Sequence, residues 1–337
     1  MTQQVAHAKR TLTKGSKTFN FAAMALDRQR LLGTRLLYTF CRVADDAVDN
    51  ASSTAAAKQN VATLRLHIGR PGEGKALLTD PNSAMEPDLV RAIQAWREVE
   101  WLFDVPSEYA LELIHGTEMD ALSFRPKTTD DLLLYCYRVA GVVGLMMCYV
   151  LGVRDKKALQ SAVDMGSAMQ LTNIARDLRE DFLMGRTYVP VDWSLGGTST
   201  DNTVLAEADA FAAAKRLVAM ADILYRSGRC GLYALPYRAR IAVAIASRLY
   251  ERIGLKIVSK GPSAIRSRMV VSSFEKLLIG AGTFLEVTAK SLWAFAIGKL
   301  GLRKTAEPDY ESGELYIYAS ETACASQITQ LKRFDLA

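Results

Sequence analysis

Two segments of this chain each hold a pair of aspartates four residues apart. The first reads Tyr38-Thr-Phe-Cys-Arg42-Val-Ala-Asp45-Asp46-Ala-Val-Asp49. The second reads Gln170-Leu-Thr-Asn173-Ile-Ala-Arg176-Asp177-Leu-Arg-Glu180-Asp181. On a helix that spacing stacks both carboxylates on one face, with Cβ atoms roughly 5–6 Å apart. Like charges so placed destabilise a helix by about 0.2–0.5 kcal/mol per pair, and Asp is a poor helix-interior residue. Something should compensate for holding them there. A hard divalent cation such as Mg²⁺ takes carboxylate and phosphate oxygens together. Two such helices facing each other would frame a cavity in which magnesium bridges the carboxylates to a diphosphate.

A single acidic pair reads most simply as solvated helix surface. Here each pair sits among apolar neighbours. Leu36, Leu37, Phe40, Val43 and Val48 surround the first, and Met169, Leu171, Ile174 and Leu178 the second. Such pairs line a pocket more readily than they face bulk water. Arg42 and Arg176 precede the pairs and are suited to grip the same diphosphate.

The elements that must position these residues are helical. Leu32, Leu36, Thr39, Phe40 and Val43 form one apolar stripe, and Leu89, Ile93, Trp96, Val99 and Phe103 a second. Strand-like alternation is confined to 187–191 and 316–318. The periodicity predicts an all-α protein. Pro and Gly divide it: 69–87 and 185–202 read as loops, Pro126 separates two helices, and Pro236 and Pro262 mark helix starts. A single domain over 15–303 follows, with an N-terminal extension at 1–14 and an irregular tail at 304–337.

The 337 residues are 50% hydrophobic and 23% charged, an ordinary globular balance. Residues 1–20 lack the apolar core of a signal peptide. The uncharged run at 139–153 is short for a membrane span. The expected location is therefore cytoplasmic, or peripheral on the inner membrane face. Five cysteines (Cys41, Cys136, Cys148, Cys230 and Cys324) include no CxxC pair, which argues against a disulfide scaffold or structural zinc. His7, His67 and His115 are scattered. The net charge of +6 suits phosphorylated substrates or anionic lipid. No basic block interleaved with aromatics points to nucleic acid.

At these residues the sequence resembles the squalene and phytoene synthase family, the trans-prenyl head-to-head synthases, and within it the bacterial phytoene synthases. The matching segments are Ser16-Lys17-Thr18-Phe19, Tyr38 through Asp49, Tyr135-Cys-Tyr-Arg-Val-Ala-Gly141-Val-Val-Gly144, Gln170 through Asp181, and Gly185-Arg186-Thr-Tyr188-Val-Pro190. They cover roughly residues 12–290 in the family's order. Relatives often carry a histidine just before the first segment; this chain has Gly15.

The resemblance implies an all-α isoprenoid-synthase bundle with a central cavity. It implies that Asp45, Asp49, Asp177 and Asp181 hold Mg²⁺ (or Mn²⁺), with Asn173 and Gln170 beside the second metal site. Lys17, Arg42, Arg176 and Arg268 would hold diphosphate oxygens, and Tyr38, Tyr135 and Tyr250 would line the chamber. The implied reaction joins two geranylgeranyl diphosphates through prephytoene diphosphate to phytoene, the first committed step of carotenoid biosynthesis. No NADPH is expected. The alternative is a presqualene-, dehydrosqualene- or squalene-type synthase using farnesyl diphosphate. Gly280-Ala-Gly282 lacks the remaining parts of a dinucleotide fingerprint. A chain-elongating or cyclising terpene synthase is disfavoured because Asn173 through Asp181 is neither a second DDxxD nor an NSE-type triad. A non-catalytic relative would usually have lost metal ligands, and all four aspartates are present.

A carbocation released on C–O cleavage must be kept from water. Phe19, Phe21, Val139, Val142, Leu145 and Met169 are the expected apolar walls, and Tyr38 and Tyr135 can face the cation. Gly141 and Gly144 suggest either room for a substrate chain or close helix contact. Ala23, with Ala22, Gly33 and Ala140, leaves space for a C20 tail. The segment 274–304, apolar with interspersed lysines, reads either as a core-packing last helix or as an interfacial one. Candidate partners are prenyl diphosphates, a membrane surface and other carotenoid-pathway enzymes.

Overall fold

The computed structural model describes residues 21–69, 85–193 and 207–299, with the backbone alone for 294–299. The expected contributions of Lys17 and Phe19, and the tail from 304, lie outside these residues. Among the described residues every regular element is helical. They are α1 (Arg28–Asp49), α2 (Thr54–Ile68), α3 (Pro87–Phe103), α4 (Ser107–Ala121), α5 (Thr129–Cys136), α6 (Val142–Leu151), α7 (Lys156–Leu183), α8 (Glu207–Cys230), α9 (Tyr237–Lys260) and α10 (Ser273–Lys299). No strand forms at 187–191, where Val191 N–H and Asp192 N–H instead donate to the carbonyls of Pro126 and Lys127.

Helix starts follow side-chain chemistry. Asp27 accepts from Arg30 N–H at 3.0 Å to open α1. Asp155 accepts from Ala158 N–H at 3.0 Å to open α7. Thr128 and Asp131 make a reciprocal capping box at α5. Such caps each contribute about 1 kcal/mol.

Two large apolar cores flank the centre, with a smaller third around Leu26, Leu151, Leu235 and Ala239. In one, the predicted α3 stripe of Leu89, Ile93, Trp96, Val99 and Phe103 is fully buried against α1. Trp96 meets Phe40 with ring centroids 5.1 Å apart, and truncating either ring to Ala would cost about 3–5 kcal/mol. In the other large core, α5, α7, α8 and α9 pack around Leu171, Leu217, Leu224 and Leu249.

Between α5 and α6 the chain makes one π-helical turn, Tyr137–Gly141. This turn overlaps the start of the uncharged run at 139–153. Its wider loop shifts which side chains face the centre. Val139, Ala140, Val143 and Gly144 line the central cavity, whereas Gly141 does not. A Cβ on Gly141 would instead press on Ser167 and Tyr137. At Gly144 it would collide with the Ala162 carbonyl, and at Gly166 with the Ala140 carbonyl. These glycines let α6 and α7 touch backbone to backbone. Close contact is thus the reason for Gly141, correcting its expected place beside the substrate. Gly33 is likewise an approach point, packed under Phe103 and Val150.

The helical stretch Thr129–Leu151 is long and apolar enough to cross a membrane, but it is more than half buried inside the bundle.

Candidate functional site

A cavity of about 500 Å³ opens among the three cores. Its walls show how helical spacing builds a chemical gradient. Along α7 the lining residues are Ala158, Ser161, Ala162, Met165, Gly166, Met169, Gln170, Asn173 and Arg176. Steps of three and four keep them on one face. The same face then reaches Asp177 and Asp181. At 1.5 Å per residue, the greasy end at Ala158 lies roughly 28 Å from Asp177. On α1 the same progression runs Thr34, Leu37, Tyr38, Cys41, Arg42, Asp45. Both helices therefore carry apolar residues to one end and carboxylates to the other.

The two acidic pairs converge. Asp45 and Asp181 both feel the carboxylate of Asp120, which reaches in from α4. Loss of hydration, reinforced by Asp49, pushes the Asp45 carboxyl up to about 7. Loss of hydration, reinforced by Asp177, does the same to Asp181. Nearly half of the Asp45 side chain is exposed, on the wall of the cavity.

Cationic side chains already stand among the acids. Arg186, on the loop after α7, reaches Asp49 at 2.7 Å. Arg176 Nε donates to Asp177 at 2.8 Å, and Arg268 Nε meets the same carboxylate at 3.0 Å. Arg42 turns to Asp46 (Nε to Oδ2 at 3.1 Å) and is 3.6 Å from Asp45. Asn173 donates to Gln170 at 3.3 Å, yet its own Oδ1 is buried with no partner.

That orphaned oxygen, beside the Asp45 and Asp181 carboxyls that burial and neighbouring carboxylates raise, fits a hard cation. Among the described residues no three His, Cys, Asp or Glu side chains cluster tightly enough to hold an ion by themselves. This suits Mg²⁺, which is commonly held by one or two carboxylates together with substrate phosphates and water.

Most sequence-expected residues meet at this cavity. Ala23, Tyr38, Arg42, Asp45, Tyr135, Val139, Gln170, Asn173, Arg176, Tyr250 and Arg268 all line it. Asp49, Asp177 and Asp181 are not among the lining residues; Asp177 pairs with the lining residues Arg176 and Arg268, while Asp49 and Asp181 lie one helical turn beyond Asp45 and Asp177. Three expected wall residues are elsewhere. Val142 and Leu145 are buried in the first core, and Phe21 packs against Gly280 of α10.

Three contributors escaped the sequence reading as functional residues. They are Asp120, Arg186 and Tyr188. Tyr188 Oη–H donates to Asp120 at 2.7 Å and Tyr135 Oη–H donates to it at 3.0 Å. The two rings stack at 4.7 Å. Arg186 and Tyr188 lie in the matched segment 185–190, which carried the only available signal. Asp120 carried none.

Comparison with known proteins follows the same lines. The family profile for squalene/phytoene synthase matches residues 12–275. A phytoene synthase of Pseudescherichia vulneris is 39% identical over 282 residues, covering 80% of this chain and 88% of that protein. A 15-cis-phytoene synthase of a Paracoccus strain is 36% identical, covering 90% and 98%. Among solved structures, a dehydrosqualene synthase in complex with a ligand superposes with a TM-score of 0.71 at 27% identity. It covers 86% of this chain and 98% of that one.

Proposed function

The chain belongs to the squalene/phytoene synthase family, and from that premise we propose that it condenses two geranylgeranyl diphosphates to phytoene through a cyclopropyl diphosphate intermediate. Relatives named phytoene synthase at 36–39% identity over most of the chain support this reading above the farnesyl-using alternative. The observation that supports it is the gradient along α1 and α7, whose cavity-lining faces run from apolar residues at one end to Asp45, and to Arg176 beside Asp177, at the other.

Asp45, Asp49, Asp177 and Asp181, with Asn173 Oδ1, are the groups proposed to hold magnesium. When bound, the metal supplies Lewis-acid stabilisation for the departing diphosphate. The remaining work belongs to the chain's own side chains. Arg42, Arg176 and Arg268 receive diphosphate oxygens. Val139, Val143, Met165 and Met169 exclude water. Tyr38, Tyr135 and Tyr250 present aromatic groups to the cation, each contributing roughly 0.5–2 kcal/mol. The alkene pair of the second chain then attacks the cation, and one proton is lost as the cyclopropane closes; the second diphosphate departs with its C–O bonding pair, and after rearrangement loss of a second proton gives the hydrocarbon without a reductant. Buried Ala22 and Ala23 leave the chamber wall low where a C20 chain needs length.

A lipid surface is the proposed docking partner. On α10, Phe274, Leu277, Leu278, Leu285, Leu292 and Trp293 are all exposed. Gly280 and Thr283 turn inward. The helix thus presents an apolar stripe to solvent, flanked by Lys276 and Lys290. It is tied to α9 through Tyr237–Thr288 at 2.7 Å. The opposite wall of α9, at Ala242, Val243 and Ala246, lines the hydrocarbon end of the chamber. Such a face suits an interfacial helix beside a hydrocarbon-handling site.

Incubation with geranylgeranyl diphosphate and Mg²⁺, without NADPH, tests the reading. A C40 hydrocarbon supports it. A product only from farnesyl diphosphate would replace it with the alternative.

A further inference from the structure

Asp120 belongs to neither acidic pair; burial raises its carboxyl, while hydrogen bonds from Tyr188 and Tyr135 and the charge of Arg186 oppose the rise. Each of its two oxygens is taken by a different phenol, Oδ2 by Tyr135 and Oδ1 by Tyr188. The three residues come from α4, α5 and the loop after α7. The rings stack 4.7 Å apart at 19°, and Phe124 extends the stack at 5.8 Å from Tyr135. Tyr135 is 4% exposed and lines the chamber. Asp120 is also felt by Asp45 and Asp181 across the acidic mouth. The cluster therefore stands where the diphosphate end meets the hydrocarbon chamber.

Burying a carboxylate is costly unless it is well hydrogen-bonded. A neutral side chain would tie two phenols together at less cost. What a carboxylate adds is charge. A phenol donating to an anion forms a shorter, stronger bond than one donating to a neutral oxygen. It shifts electron density back into the ring, which strengthens the attraction of the ring face for a cation. Holding both rings by their hydroxyls also fixes the direction in which the stack presents its face.

We propose that Asp120 is a positioning residue that clamps and polarises the Tyr135–Tyr188 pair, so that the allylic cation is steered to carbon–carbon bond formation instead of capture by water. This rests on the prenyl-condensing reading above. The hydroxyl protons stay on the tyrosines throughout. The C–O bonding pair leaves with the diphosphate, and the alkene pair of the second chain forms the new bond.

The test compares wild type, Asp120→Asn and Tyr188→Phe with geranylgeranyl diphosphate and Mg²⁺, counting diphosphate, hydrocarbon and prenyl alcohol. Asn keeps the shape and one acceptor but removes the charge; Phe keeps the stack and removes one donor. In Asp120→Asn the ratio of hydrocarbon to alcohol should fall by at least about tenfold, with substrate KM and magnesium half-saturation changed by less than about threefold. Tyr188→Phe should move the same ratio in the same direction by a smaller factor. A purely structural clasp would lower every rate and the melting temperature together and leave the ratio fixed, which overturns the proposal. A rise in magnesium half-saturation of about tenfold at a fixed ratio would make Asp120 a metal ligand and overturn it too. Unchanged variants would also sink it while leaving the functional reading intact. Wild type that releases no diphosphate would sink that reading itself, and this inference with it.

Discussion

Arg186 and Asp49, 137 residues apart in the chain, meet in an ion pair of 2.7 Å across the mouth of the chamber. The guanidinium occupies the edge of the acidic field that substrate and metal must enter. Both partners are about a third exposed, at 29% and 34%, so the pair adds only about 0.2–1 kcal/mol to stability. Its proposed value lies in presenting a cation to the diphosphate. Replacing Arg186 by Gln should raise the substrate KM by about tenfold without raising the magnesium half-saturation, because the acids lose a competitor. Steady-state kinetics with each ligand varied separately checks this. A matching rise in the magnesium requirement would instead make Arg186 an organiser of the metal ligands.

Burial first, and then the neighbouring carboxylates of Asp49 and Asp177 respectively, push Asp45 and Asp181 up to about 7, well above the ordinary carboxylate range. Below about pH 4 these groups are protonated in both folded and unfolded chains and cost nothing. Between about 4 and 7 the unfolded chain ionises while the folded chain keeps its protons, so folding loses stability as pH rises. Above about 7 the penalty is complete. The melting temperature of the metal-free protein should therefore carry a falling component over this window, and Asp45→Asn and Asp181→Asn should each flatten it. Stabilisation by magnesium with inorganic diphosphate should be larger at pH 8 than at pH 5.5, because bound metal displaces those protons. Scanning calorimetry at both values measures it; equal stabilisation would contradict the assignment.

Ala23 is 4% exposed and forms part of the chamber wall. Ala23→Phe would fill space that a C20 tail needs. Turnover of geranylgeranyl diphosphate should fall by at least about tenfold, while farnesyl diphosphate loses less, as a hydrophobic pocket discriminates by roughly 1–3 kcal/mol per methylene. Product mass from mixed-substrate incubations reads the switch. Equal losses on both substrates would mean that Ala23 does not bound the tail.

The apolar stripe of α10 gives a surface prediction. Leu285→Glu with Trp293→Glu replaces two exposed side chains, at 65% and 70%, with charges. Flotation with vesicles containing anionic lipid should retain wild type and release the double variant, with activity on detergent-dispersed substrate unchanged. Wild type that stays at the bottom of the gradient would remove lipid docking from the account.

How much of this was legible in the sequence depended on distance along the chain. The acidic pairs could be read because four-residue spacing on a helix is a local property. Each pair's apolar neighbours and its preceding arginine lie within the same few turns. The α3 stripe from Leu89 to Phe103 was legible for the same reason. Asp120 was not, since its meaning lies in Tyr135 and Tyr188, 15 and 68 residues further on. Arg186 was hidden likewise behind its remote partner. Gly141 was misplaced because the π turn at Tyr137–Gly141 resets the face count, and nothing in Val-Ala-Gly-Val-Val announces it. Val142 and Leu145 were misplaced by the same reset.

The central claim is that the α1 and α7 carboxylates act together on one metal-bound diphosphate, and hydrocarbon formation from geranylgeranyl diphosphate by wild type, Asp45→Asn and Asp177→Asn measures it most directly. Wild type should give a C40 hydrocarbon that depends on Mg²⁺. Either single variant should lose at least about a thousandfold, and the double variant little more, as expected of groups that work as a unit. Undiminished turnover in either variant, with the fold intact, would contradict it.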